Sequence, residues 1–135
     1  MTPAEAFAAI ALIAVACDGV VDPHEASLLR SQLDGRHPYI EHSEESMGQL
    51  FERLLDHLHV HGWRALLSEA IPALSPSQQE TALAMAAHLV HGDRLVSEEE
   101  MALLQHMAER MGLPEGRAQQ ILEVIAVLHR DSLAG

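Results

Sequence analysis

The chain has no lysine. All eight of its basic residues are arginines, set against 20 acids, for a formal net charge of −12 over 135 residues. That imbalance argues against nucleic acid as a partner, because phosphate contacts need a basic face. It also argues against adsorption to an anionic membrane. Without lysine there is no phosphate-binding P-loop and no Schiff-base chemistry. Aromatic residues make up only 3%, so sheet-forming material is scarce. A single cysteine, Cys17, excludes an internal disulfide and any CxxC metal or redox motif. The longest apolar run, residues 6–17, is twelve residues and too short to cross a bilayer. The opening MTPAE carries an acid and no basic residue, so a cleaved leader is not expected and the chain is expected in the cytoplasm. No G-x-S-x-G elbow, E-x-x-H pair or zincin pattern occurs.

What is present favours helix. Apolar residues reach 48%, with Ala, Leu, Glu, Gln, Met and Arg prominent, all good helix formers. One domain with a sizeable core fits this length. Ten histidines stand out; they are near-neutral at pH 7 and would cancel much of the negative charge on acidification. Cations or a basic protein suit such a surface better than anionic polymers do.

The chain repeats itself. At an offset of 75 residues, FAAIALIAVACDGVVDPHEASLLRSQL lies over ALAMAAHLVHGDRLVSEEEMALLQHMA without a gap. Asp18 meets Asp93, Val21 meets Val96, Glu25 meets Glu100, and Leu28-Leu29 meets Leu103-Leu104. Farther on, an offset of 71 places QLFERL on QILEVI. The shared D-x-x-V-x-x-x-E frame favours duplication over chance similarity of two amphipathic helices.

Helix punctuation gives the units. Thr2-Pro3 with Glu5 opens a first helix by capping box and N1 proline, running to about Cys17. It is apolar on all sides and so belongs at the centre. Asp22-Pro23 with Glu25 opens a second helix ending near Leu33, with Val20 or Val21 as a hydrophobic staple. Ser43 caps a third, to about Leu58. A fourth covers roughly residues 60–73, and a fifth about 77–91, after the break at Ser75-Pro76. Ser97 caps a sixth with Glu100 at N3, and Gly112-Leu113-Pro114 separates it from a seventh. The seventh carries Ile121, Leu122, Val124, Ile125 and Leu128 as a core-facing stripe. The expected fold is all-α: a seven-helix bundle of two pseudo-two-fold-related three-helix units, residues 3–58 and 76–130, joined by the fourth helix. The two apolar helices, first and fifth, pack together.

Chemistry concentrates at the two repeated turns. Capping accounts for Asp22, Glu25, Ser97 and Glu100 without a ligand, at about 1 kcal/mol per helix. Asp18 and Asp93 are different: each follows a helix C-terminus, where the macrodipole disfavours an acid. Each either accepts N–H groups of the next helix or meets a cation or a partner's basic group. The spacing excludes an EF-hand, whose loop needs twelve residues with alternating oxygens; here the acids are seven apart, with valines between. A divalent cation, if held, would take Asp18, Asp22 and Glu25, with His24, in the first copy. In the second it would take Asp93, Glu99 and Glu100, with His91.

A Ala-rich helix, an acidic D-G-x-V turn and a Glu-opened helix, occurring twice, resemble the TerB-like tellurite-resistance domain. ACDGVVDPHEASLL resembles that family's first signature, and HGDRLVSEEEMALL with MAERMGL its second; Arg94 stands where the family usually has glycine. The resemblance covers nearly the whole chain. It implies a seven-helix, pseudo-two-fold, non-enzymatic domain of bacterial stress systems, working beside membrane-linked and calcium-binding partner proteins. It maps the family's paired acids onto Asp18, Glu25, Asp93 and Glu100. The alternative is a protein-interaction scaffold whose turns are purely structural.

Histidine offers a third reading, a metal-dependent hydrolase. His57 and His61 are one turn apart beside Asp56, but the local sequence supplies no carboxylate at metal spacing, and a polar helix end near Gly62 explains them more simply. His88 and His91 share the end of the fifth helix. Cys17, closing an apolar helix, reads as a buried small residue, and Met101, Met107 and Met111 as core.

Overall fold

A computed structural model describes residues 1–17, 20–92 and 96–135. Among these the chain is all-helical, with seven α-helices and no strand. They are α1 (Pro3–Ala16), α2 (Pro23–Asp34), α3 (Glu44–His61), α4 (Trp63–Ala70), α5 (Pro76–His91), α6 (Glu98–Arg110) and α7 (Arg117–Leu128). Short 3-10 turns at Tyr39–Glu41 and Ile71–Ala73 fill the connectors. No helix among the described residues is long and apolar enough to cross a membrane.

Each start is set by a local device. Thr2, Ser75 and Ser97 form full capping boxes with Glu5, Gln78 and Glu100. Ser43 accepts from the Ser46 N–H. Asp22 accepts from the Glu25 N–H at 2.8 Å, so the expected box at α2 is present only in its first half. Of the two candidate staples, Val21 packs against the core, whereas Val20 is exposed.

α1 is the hub. Nine of its residues are buried, from Ala6 to Ala16, and its most extensive interface is with α5, followed by α4. Alanine explains the closeness: Ala8, Ala9, Ala11, Ala82, Ala86 and Ala87 are all almost fully buried, and small side chains let two helix backbones approach while Ile10, Leu12, Ile13 and Leu83 fill the flanks. The expected pairing of the two apolar helices is thus observed.

Three expectations need correction. α3 continues past Leu58 to His61, because nothing in His59-Val60-His61 breaks a helix; the stop is Gly62, at φ 85°, a conformation costly for any side chain. α4 therefore begins at Trp63, and ends at Ala70. On α7 only Leu122 is buried; Ile121 and Ile125 are half-buried, and Val124 and Leu128 are 65% and 67% exposed. α7 packs along α5, so one line of side chains through Leu122 is covered, and residues about 200° and 240° further round face out. Met107 and Met111 are core as expected, but Met101 is exposed.

Among the described residues, Gln79 is the one buried polar residue of the core. Its amide donates to the Ile71 and Leu74 carbonyls, and its oxygen accepts from the Gly112 N–H at 2.9 Å. One side chain thereby bridges backbone groups of the α4–α5 and α6–α7 connectors, giving a partner to the buried Leu74 carbonyl and to the Gly112 N–H and a second donor to the Ile71 carbonyl, which also accepts from the Leu74 N–H.

Candidate functional site

The C-terminal end of α1 meets the N-terminal turns of α2 and α6. There a depression of about 280 Å³ has Ala14 and Val15 on its floor and Asp22, Glu25, Glu99 and Glu100 among its walls. Glu25 and Glu100 also flank a smaller cleft of about 20 Å³ that reaches in to Leu28 and Leu89. Four of the acids expected at the repeated turns, two from each copy, therefore share one surface feature. Asp18 and Asp93 lie outside the described residues.

The carboxylates are already partly engaged. Asp22 Oδ1 caps α2. Glu100 Oε1 accepts from the Ser97 N–H at 3.1 Å, while Ser97 Oγ accepts from the Glu100 N–H at 3.1 Å. Clustering of acids is tolerated here because two helix N-termini face it. Each presents roughly half a positive charge, and Glu25, Glu98, Glu99 and Glu100 all fall in first turns. The two N-termini thereby reduce the like-charge repulsion, against the negative end of α1.

The two candidate histidines do not join this depression. His24 is exposed and is not part of its lining. His91 turns toward α7, where its ring stacks on His129 at 5.5 Å and 18°. His88 belongs to the same group, its Nδ1 lying 2.8 Å from His129 Nε2. Burial, and then the His129 charge, hold both His88 and His91 below the ordinary histidine range; the Glu100 carboxylate opposes this at His91. His129 was invisible to local spacing, since it lies 41 residues from His88.

His57 and His61 do share a face, with ring centroids 4.8 Å apart. The carboxylate that local sequence did not supply comes from α4: Glu69 Oε2 lies 3.0 Å from His57 Nε2. His57 Nδ1 is buried with no hydrogen-bond partner. Asp56 is exposed. Among the described residues, no group of three or more His, Cys, Asp or Glu is placed to hold a metal ion.

Cys17 is half-buried rather than buried. It lines both the acidic depression and a larger groove of about 530 Å³ bounded by Trp63, Arg64, Glu99, His106 and Glu109. In that groove the Arg64 guanidinium lies 4.5 Å from the Trp63 ring and His106 meets the same ring edge-on at 5.1 Å.

Comparison of the chain with protein-family models, with curated proteins and with solved structures gives no match.

Proposed function

We propose that this chain is a non-enzymatic, TerB-like binding module of the stress-response type, working in the cytoplasm through the acidic depression between α2 and α6. Its ligand is a cation: a divalent ion held weakly, or the basic side chain of a protein partner. The observation that carries this reading is the convergence of Asp22, Glu25, Glu99 and Glu100 on one depression. These residues come from segments that align at the 75-residue offset. The same offset motivates the proposal that residues 3–58 and 76–130 are two related three-helix units, with α4 as the link. Asp18 and Asp93 complete the proposed ligand set from sequence.

Calorimetric titration with calcium, magnesium, manganese and zinc tests the ionic version. Binding that disappears in the Glu25→Gln, Glu100→Gln double variant supports it; no heat and no change in melting temperature with any of the four removes it.

A second reading, an interaction scaffold with structural turns, draws on the capping bonds of Asp22 and Glu100, which hold both helix starts with no ligand. Under it a basic partner is captured by the acidic face as a whole, and the two Glu→Gln changes leave capture at physiological salt within about twofold, as rim charges do.

A further inference from the structure

The opposite end of α1 carries a cavity of a different chemical character. It is open to solvent and offers about 480 Å³ between the start of α1, the α2–α3 connector and the first turns of α5. That is within the usual range for a small-molecule site. Phe7, Pro38, Tyr39 and Leu74 give it apolar walls, and Thr2, Ser77 and Thr81 add hydroxyls. Its charged side chains are Arg36 and, on protonation, His37. In a chain with 20 acids, no Asp or Glu lines it. The 530 Å³ groove, by contrast, mixes Arg64 with Glu99 and Glu109.

Arg36 is not neutralised by a neighbouring acid among the described residues, no carboxylate lying within ion-pair distance of it. Its guanidinium lies 5.6 Å from the centre of the Phe7 ring, and its charge reaches the Tyr39 phenol. A cation–π contact of this kind draws the guanidinium to the rim of the pocket without using its N–H donors, which can then bind a carboxylate or phosphate. Tyr39 itself is buried and tied down, its hydroxyl donating to the Ala4 carbonyl.

We infer that this cavity binds a small molecule with a planar apolar body and a single carboxylate or phosphate, the anion paired with Arg36 and the body against Phe7 and Leu74. The inference is independent of the acidic depression. Benzoate and phenyl phosphate serve as probes that separate the two anion types, with benzylamine as the cation of matched shape. Each is titrated into the full ¹⁵N-labelled chain and followed by amide shifts. The expected result is saturable shifts confined to residues 2–7, 36–39 and 74–81 for at least one anion, and none there for benzylamine. Arg36→Gln should weaken that anion roughly tenfold, the loss of one charge-assisted pair. Ser77→Phe, at an exposed position, should block it without altering charge, and both variants should keep the wild-type melting temperature. No saturable binding of either anion, equal binding of benzylamine, or unchanged affinity in Arg36→Gln overturns the inference.

Discussion

The decisive perturbation at the acidic depression is the double change Glu25→Gln, Glu100→Gln, because glutamine keeps shape and capping ability while removing charge. Its energetic effect can be worked from the geometry. A space of about 280 Å³ has an edge of roughly 7 Å, and two carboxylates that far apart in a wet site repel by about 0.6–1.2 kcal/mol at a dielectric of 40–80. Each glutamate also gains about 0.3–1 kcal/mol from the helix N-terminus behind it. Losing two such gains and the mutual repulsion nearly cancels, so stability should move by less than about 1 kcal/mol. For a chain of this size that is a melting shift of a few degrees at most. Ligand response should change far more. A cation at ten times its Kd stabilises wild type by about 1.4 kcal/mol, and the double variant should show none of this. The assay is thermal and urea denaturation followed by circular dichroism, with and without divalent cation. A fall of more than about 2 kcal/mol in the ion-free double variant would refute the reasoning, since it would make the carboxylates structural supports of the turns.

Deleting the caps should give the opposite pattern: Ser97→Ala or Asp22→Ala should each cost about 1 kcal/mol by urea denaturation. Gln79→Leu should cost about 2 kcal/mol or more, because the Leu74 carbonyl and the Gly112 N–H lose the Gln79 amide while the Ile71 carbonyl keeps only the Leu74 N–H; a loss under 1 kcal/mol would show that water replaces it. Acidification should destabilise the fold. His88 and His91 are held below their ordinary value of 6.5, so as pH falls through that value the unfolded chain takes up protons first, and stability drops until the folded-state values are passed. Histidine C–H chemical shifts against pH check this directly, and His129→Asn should flatten the dependence by removing the second cause. At the alkaline end, burial pushes the Tyr39 phenol up to about 12; the unfolded chain ionises first, so stability should fall by roughly 2–3 kcal/mol between pH 10 and 12, and Tyr39→Phe should abolish that fall.

Helix starts were legible because their chemistry is local. Thr2, Asp22, Ser43 and Ser97 each lie within three residues of the N–H they satisfy, and a short window contains the whole interaction. The central position of α1 was legible too, because a helix apolar on all sides can be satisfied only by burial. What sequence could not supply was long-range pairing. The face α7 buries depends chiefly on its packing against α5, so periodicity named a stripe without saying how much of it is covered. His57 meets Glu69 twelve residues on, and His88 meets His129 across 41; no spacing rule reaches that far. At the acidic depression, the repeat named Asp22, Glu25, Glu99 and Glu100, but their convergence needed the coordinates. The roles of Asp18 and Asp93 rest on sequence alone.

α1 connects the two ends at which binding is proposed. Ala4 lines the Arg36 cavity and Val15 floors the acidic depression. Eleven residues of helix separate them, about 16 Å, which is roughly two Debye lengths at physiological salt. Direct charge coupling between the ends should therefore be small, and any coupling would have to travel through rigid displacement of α1, which is buried along its length and poorly suited to move. Arg36→Gln should leave the cation response of the depression unchanged, and the double Glu→Gln variant should leave benzoate or phenyl phosphate affinity unchanged. A reciprocal change in both would mean that α1 shifts as a unit between two packings, since linkage requires the same coupling free energy in each direction.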